Sequence, residues 1–228
     1  MPGIGFDFTY ILVVMIPGAL LSMGASYLVK TRFAKYSRIP STRGYTGAQA
    51  AQKLLDQAGI HDVEIVRVQG FLSDHYNPAT KHLALSPPVY DSTSVAAIGV
   101  ATHEAGHAIQ HATGYKWLAY RSLIVPAVQF GSPIGTWGMV IGLALMSSNV
   151  VFGKTVFIVG AVAFSMLLLF QLVTLPVEFN ASARAKKLVV EAGIIGSQES
   201  EGSFALIGKD GEAMILNISC ATKIRLRC

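Results

Sequence analysis

Hydrophobic and polar residues fall along this chain in long blocks. Phe8 to Val29 runs for 22 residues without a charge, Leu123 to Val150 is uncharged, and after Lys154 the segment Thr155 to Val177 is uncharged again. A helix rises about 1.5 Å per residue and a bilayer hydrocarbon core is about 30 Å thick, so each block is long enough to cross it. The pattern predicts three transmembrane helices, over 8–29, 123–150 and 155–177. Pro17 predicts a kink in the first, a distortion that bilayers tolerate. The link around Ser147–Lys154 is short, so the second and third spans should form a hairpin that enters and leaves on the same side. The competing reading, two buried helices of a soluble core, fits their length and continuity poorly.

Between the first and second blocks, residues 30–122 read as α+β. Thr46 to Ala58 places Ala48, Ala51, Leu54 and Leu55 on one helical face, with Thr46 as N-cap and Gly59 as stop. Val63–Val68 and Lys81–Ser86 are strand candidates, with turns at Gly70 and across Asp74–Thr80. Pro87-Pro88 breaks the chain before a helix running from about Ser94 to Ala112. No internal repeat or low-complexity tract is present.

Composition sharpens this picture. Apolar residues make up 52% of the chain and charged residues 14%, against about a quarter charged in soluble domains. The net charge of +5 does not suggest nucleic-acid binding, because no basic run is interleaved with aromatics. Cys220 and Cys228 cannot form a disulfide framework, and no CxxC occurs. The start of the chain has no Lys or Arg before the first block, unlike a secretory signal. Lys30, Arg32, Lys35, Arg38 and Arg43 follow it instead. Of 18 Lys and Arg, ten lie between Lys30 and Arg121, seven follow Glu178, and Lys154 alone sits at the hairpin tip. This bias predicts a multi-pass protein of the cell (inner) membrane, with the first span uncleaved, its N-terminus outside and the polar regions in the cytoplasm.

The 94–112 helix contains His103-Glu104-Ala105-Gly106-His107. Residues four apart share a helix face, so both imidazoles can reach one metal ion, with Glu104 beside them to accept a proton from metal-bound water. The bland alternative is two unrelated histidines on a polar face. Catalytic zinc takes three protein ligands and keeps one position open. The third must lie on the same side of the membrane as His103, and the carboxylate just after the hairpin, Glu178, satisfies that. Taken alone, Glu178 is equally well read as a helix-start carboxylate favoured by the dipole.

Four segments resemble the YugP-type family of bacterial membrane-bound neutral zinc metallopeptidases: Gly44–Ala48, Gly70–Pro78, His103–His111 and Glu178–Ala185. The resemblance covers residues 1 to about 200. It implies an α+β zincin-like catalytic region at 30–122 combined with about three transmembrane helices, and one Zn²⁺ held by His103, His107 and Glu178. It further implies that the strand after Asp74-His75-Tyr76 borders the cleft and pairs with an extended peptide, with His75 and Tyr76 near the oxyanion. A plain turn role for these two residues is the alternative. The family is similar in outline to the HtpX-type membrane peptidases, which usually carry Asp four residues after the glutamate. Here Ser182 occupies that position, and Ser182 or Asn180 is the candidate to orient a histidine ligand. His111 is expected on the helix surface.

These expectations describe a zinc-dependent, membrane-anchored endopeptidase with Glu104 as general base on zinc-bound water. Its partners are a protein or peptide substrate and the lipid bilayer. A non-catalytic zinc-binding membrane adaptor of the same fold is the alternative, and the intact Glu104 weighs against it. A site-2-type intramembrane protease would need HExxH inside a span and a later LDG, which is absent. A helix carrying the third ligand is expected over 178–201. From about Gly202 the 202–228 tail diverges and lacks the further apolar span expected in the family.

Overall fold

The computed structural model describes residues 16–71 and 73–196. Residues 8–15 of the first expected span, the side chain of Pro17, and the 202–228 tail with Asn217, Cys220 and Cys228 lie outside that description. Helix α1 covers Ile16–Tyr36 and leads to α2, Gly47–Gln57. Thr46 caps α2 through a capping box: its hydroxyl accepts from Gln49 N–H while the Gln49 side chain accepts from Thr46 N–H. Gly59, at φ +70°, lets the chain leave the helix.

Three short strands follow: β1 Glu64–Arg67, β2 His75–Asn77 and β3 His82–Leu85. They form one sheet in the order β1-β3-β2, with β1 parallel and β2 antiparallel to β3. The Asp74–Thr80 stretch expected as turn is therefore strand over its first half. Tyr76 pairs with Leu83 in the register, and the turn proper is confined to the residues after Asn77, where its side chain accepts from Ala79 N–H. Asp74 is buried and accepts hydrogen bonds from the Ser86 backbone N–H (2.7 Å) and hydroxyl (2.9 Å). That carboxylate ties the entry to β2 to the exit from β3, which explains why a segment rich in turn-forming residues becomes an edge strand.

After a short helix α3, Pro87–Tyr90, comes α4, Val95–Ala112, with Ser94 as N-cap accepting from Ala97 N–H. Leu54, Leu55, Leu83, Leu85 and Ile98 are fully buried and bring α2, the sheet and α4 into one core. Two long helices complete the described fold, α5 over Lys116–Leu145 and α6 over Val150–Glu191. Among the described residues these are the two helices long and apolar enough to cross a membrane. Their outward side chains, including Leu123, Phe130, Trp137, Val151 and Leu172, are exposed, an apolar surface that fits membrane association.

α5 and α6 pack closely because glycines face the partner backbone. A Cβ on Gly135 would lie 2.5 Å from Phe164 N, and one on Gly160 would lie 2.6 Å from Met139 N. With 42 residues, α6 is about 63 Å long, roughly twice the hydrocarbon thickness. One helix therefore takes in the apolar segment 155–177 and continues through Pro176 into the polar residues after Glu178. Its distal part, through Ala185 and Val189, joins the same core as α4.

Where α4 meets α6, Gly106 faces the Ala181 carbonyl, and an added Cβ would sit 2.6 Å from that oxygen. Gly106→Ala is expected to destabilise the full-length protein by about 1–3 kcal/mol through overpacking, read from thermal melts in detergent. Gly24→Ala, where nothing lies within 4 Å, should be neutral or slightly stabilising.

Candidate metal centre

The centre forms where α4 crosses α6 just beyond the apolar part of the hairpin. His103 and His107 lie one helical turn apart on α4, with ring centroids 4.8 Å apart in an edge-to-face arrangement. Glu178 projects from α6 between them. Its Oε2 lies 3.1 Å from His103 Nε2 and 3.4 Å from His107 Nε2. All three ligand atoms fall within 4.8 Å of one another.

This donor set fits a zinc ion on its own geometry. Two atoms each about 2.0–2.1 Å from a tetrahedral ion lie roughly 3.3 Å apart, close to the two carboxylate–imidazole separations of 3.1 and 3.4 Å, while the imidazole pair, within 4.8 Å, would draw together on binding. Two imidazoles and one carboxylate also form the open, three-ligand set of catalytic rather than structural zinc. The histidine rings are held from behind. Ser182 Oγ is 3.1 Å from His103 Nδ1, and Gln110 Oε1 is 3.0 Å from His107 Nδ1. Hydrogen bonds at Nδ1 turn each Nε2 toward the shared carboxylate, the usual outer support of metal-binding histidines.

The outer oxygen of Glu178 faces a cation. Arg121, near the start of α5, places Nη1 3.7 Å from Glu178 Oε1, which leaves Oε2 for the two imidazoles. Glu104 lies on the same helix beside these groups. Burial pushes its carboxyl up to about 7, and the negative charges of Glu178 and Asp74 act in the same direction, while His103 and Arg121 oppose them. A carboxyl in that range exchanges protons readily near neutrality.

His75 and Tyr76 stand on the edge strand β2, which packs beside α4. The His75 ring Nδ1 lies 2.8 Å from the Ser73 carbonyl. The Tyr76 hydroxyl shares a 2.8 Å hydrogen bond with His111 Nδ1, so His111 is exposed but tied to the edge strand rather than loose on the helix surface. Burial, aided by Asp62, pushes the Tyr76 hydroxyl up to about 12, so it stays protonated at physiological pH. Asn180 does not touch a histidine directly: its Oδ1 accepts from Gln110 Nε2 at 3.1 Å and from Arg184 Nε at 2.8 Å.

Two residues at the centre carried no role in the sequence reading. Gln110 falls three positions after His107, on the same helix face, so its spacing held a signal. Arg121 counted there only as a cytoplasmic cation, and nothing local in the sequence links it to Glu178.

A family model described as "Putative neutral zinc metallopeptidase" matches residues 10–207. The chain is 43% identical over 182 residues to a protein of Bacillus subtilis (strain 168) named "Putative membrane protease YugP", covering 80% of this chain and 78% of that one. No solved structure matches. With so much of its length inside the match, the chain belongs to the family described as putative neutral zinc metallopeptidases.

Proposed function

We propose that the protein is a zinc-dependent, membrane-anchored endopeptidase whose active site faces the cytoplasm close to the membrane surface. The observation that carries this reading is the convergence of His103, His107 and Glu178 within 4.8 Å, with a carboxylate base on the same helix. The family description and the name of the Bacillus subtilis relative support it. So do the two long apolar helices, and the excess of Lys and Arg in the polar regions supports the orientation. Glu178 directly follows the apolar segment 155–177, and Arg121 precedes Leu123 by two residues. The reaction centre therefore sits at the membrane end of the polar region, suited to peptide segments near the bilayer.

When bound, zinc polarises the scissile carbonyl and lowers the pKa of water toward about 7. The chain's own residues do the rest. Glu104 takes a proton from the attacking water as its oxygen bonds to the carbonyl carbon. It then delivers that proton to the amide nitrogen as the C–N bond breaks, releasing an amine and a carboxylic acid whose proton passes to the amine or to solvent. Arg121 keeps Glu178 oriented, and Ser182 and Gln110 keep the imidazoles aimed. The outer edge of β2, unpaired among the described residues, can accept an extended peptide by strand addition, which brings the substrate past His75 and Tyr76.

Glu104→Gln should retain zinc and lose about 10²- to 10⁴-fold in kcat/KM on a casein-type or peptide substrate. A mutant that kept full activity would remove Glu104 from the mechanism. A zinc-replete wild type with no chelator-sensitive hydrolysis would favour the adaptor reading. The pH profile supplies a further check. Glu104 must be ionised to accept a proton, and its raised pKa keeps it protonated to higher pH than an ordinary glutamate. The bound cation opposes that rise. Activity should therefore fall as pH drops, with an acid limb between 4.5 and about 7 that Glu104→Gln lacks.

A further inference from the structure

Gln110 is fully buried between α4 and α6, and it belongs to a chain of hydrogen bonds in which every donor and acceptor is determined. Arg184 Nε can only donate, so the atom of Asn180 that it meets at 2.8 Å is the carbonyl oxygen. That same Oδ1 and the Val177 carbonyl, at 3.1 and 2.7 Å, both face one end of the Gln110 amide. Two acceptors require a donor, so this end is the NH₂ group. The opposite end, Oε1, is then the atom 3.0 Å from His107 Nδ1. An amide oxygen can only accept, so the proton of a neutral His107 must sit on Nδ1, leaving the lone pair on Nε2, the nitrogen that faces Glu178.

We propose that Gln110, oriented by Asn180 and Arg184, is a positioning residue that locks His107 into its metal-binding tautomer and fixes the spacing of α4 against the Glu178 turn of α6. Its two acceptors on α6 are residue 177, immediately before Glu178, and residue 180, two beyond it. One side chain thus holds a histidine ligand with its oxygen and the backbone bearing the carboxylate ligand with its nitrogen. His103 has no such lock. Its partner, the Ser182 hydroxyl, can donate or accept and imposes neither tautomer. The proposal rests on the zinc reading above, and it assigns the asymmetry between the two imidazoles to a residue outside the ligand set.

The test is zinc affinity of the full-length protein in detergent, measured by competition with a chelator, together with the visible spectrum of the cobalt-loaded form, which reports ligand geometry. Gln110→Met keeps the length of the side chain but removes its oxygen and nitrogen. It should weaken zinc binding 10- to 100-fold and alter the cobalt spectrum, while circular dichroism of the metal-free protein stays that of wild type. Gln110→Glu restores an acceptor for His107 Nδ1 but turns a second oxygen, a donor only when protonated, toward the Val177 and Asn180 oxygens, so it should recover part of the affinity lost in Gln110→Met. Asn180→Ala removes one of the two α6 acceptors and should cause a smaller loss of affinity. A folded Gln110→Met with wild-type affinity and spectrum overturns the proposal. Should that variant fail to fold, Asn180→Ala with wild-type affinity and spectrum overturns it instead. If wild type itself binds no zinc, the zinc reading falls rather than the role of Gln110 alone.

Discussion

The close approach of α4 and α6 at Gly106 and Ala181 is the contact on which the rest of the structure depends. The centre is divided between two helices far apart in sequence, with both imidazoles on α4 and the carboxylate on α6. Without a side chain at position 106, the α4 backbone comes against the Ala181 carbonyl. That proximity allows Glu178 Oε2 to stand 3.1 and 3.4 Å from two ring nitrogens. Ala105, Ala181 and Ala185 are fully buried nearby, so small side chains flank the crossing on both helices. The same helix that carries Glu178 is packed upstream against α5 through glycines. One continuous helix thus links the candidate membrane hairpin to the candidate metal centre, and the position of Glu178 is set in part by the hairpin.

Electrostatics at the crossing are consistent with this arrangement. A buried carboxylate is costly unless charge and hydrogen bonds compensate it. Glu178 has Arg121 at one oxygen, and a cation held between its other oxygen and the two imidazole Nε2 atoms would compensate the remaining charge. Glu104, by contrast, lacks an ion pair among those described and is pushed toward neutrality by burial. Two glutamates within one site are therefore driven in opposite directions: one toward a permanent anion suited to a cation, the other toward a group that gains and loses a proton near pH 7.

Much of this was legible in the sequence wherever a local rule governs the outcome. Thr46 and Ser94 cap helices because their hydroxyls meet free backbone N–H groups; Thr46 could be read directly as a cap, and Ser94 as the approximate start of its helix. The i, i+4 spacing of His103 and His107 fixes their shared face before any coordinates are known. Blocks of uncharged residues marked both helices of the hairpin, although the structure extends α5 back to Lys116 and runs α6 unbroken through Pro176. Strand β2 was hidden because Asp74–Thr80 has turn composition. Its pairing with β3 and the buried Asp74–Ser86 hydrogen bonds, both tertiary, hold it in the sheet. Gln110 and Arg121 escaped for the same reason. Their roles come from what α6 brings next to them, and Glu178, singled out by its place just after the hairpin, was decided by resemblance, since an isolated carboxylate at a helix start carries no signature of its own.

The account stands on Glu178 acting as the third ligand beside His103 and His107. Metal analysis of purified full-length protein tests this directly, comparing wild type with Glu178→Ala at equal protein concentration after removal of loosely bound ions. The account predicts one zinc per chain in wild type and a large loss of zinc in Glu178→Ala, with the fold retained by circular dichroism. Undiminished stoichiometry and affinity in Glu178→Ala would show that the ion is held elsewhere and would contradict the account at its centre.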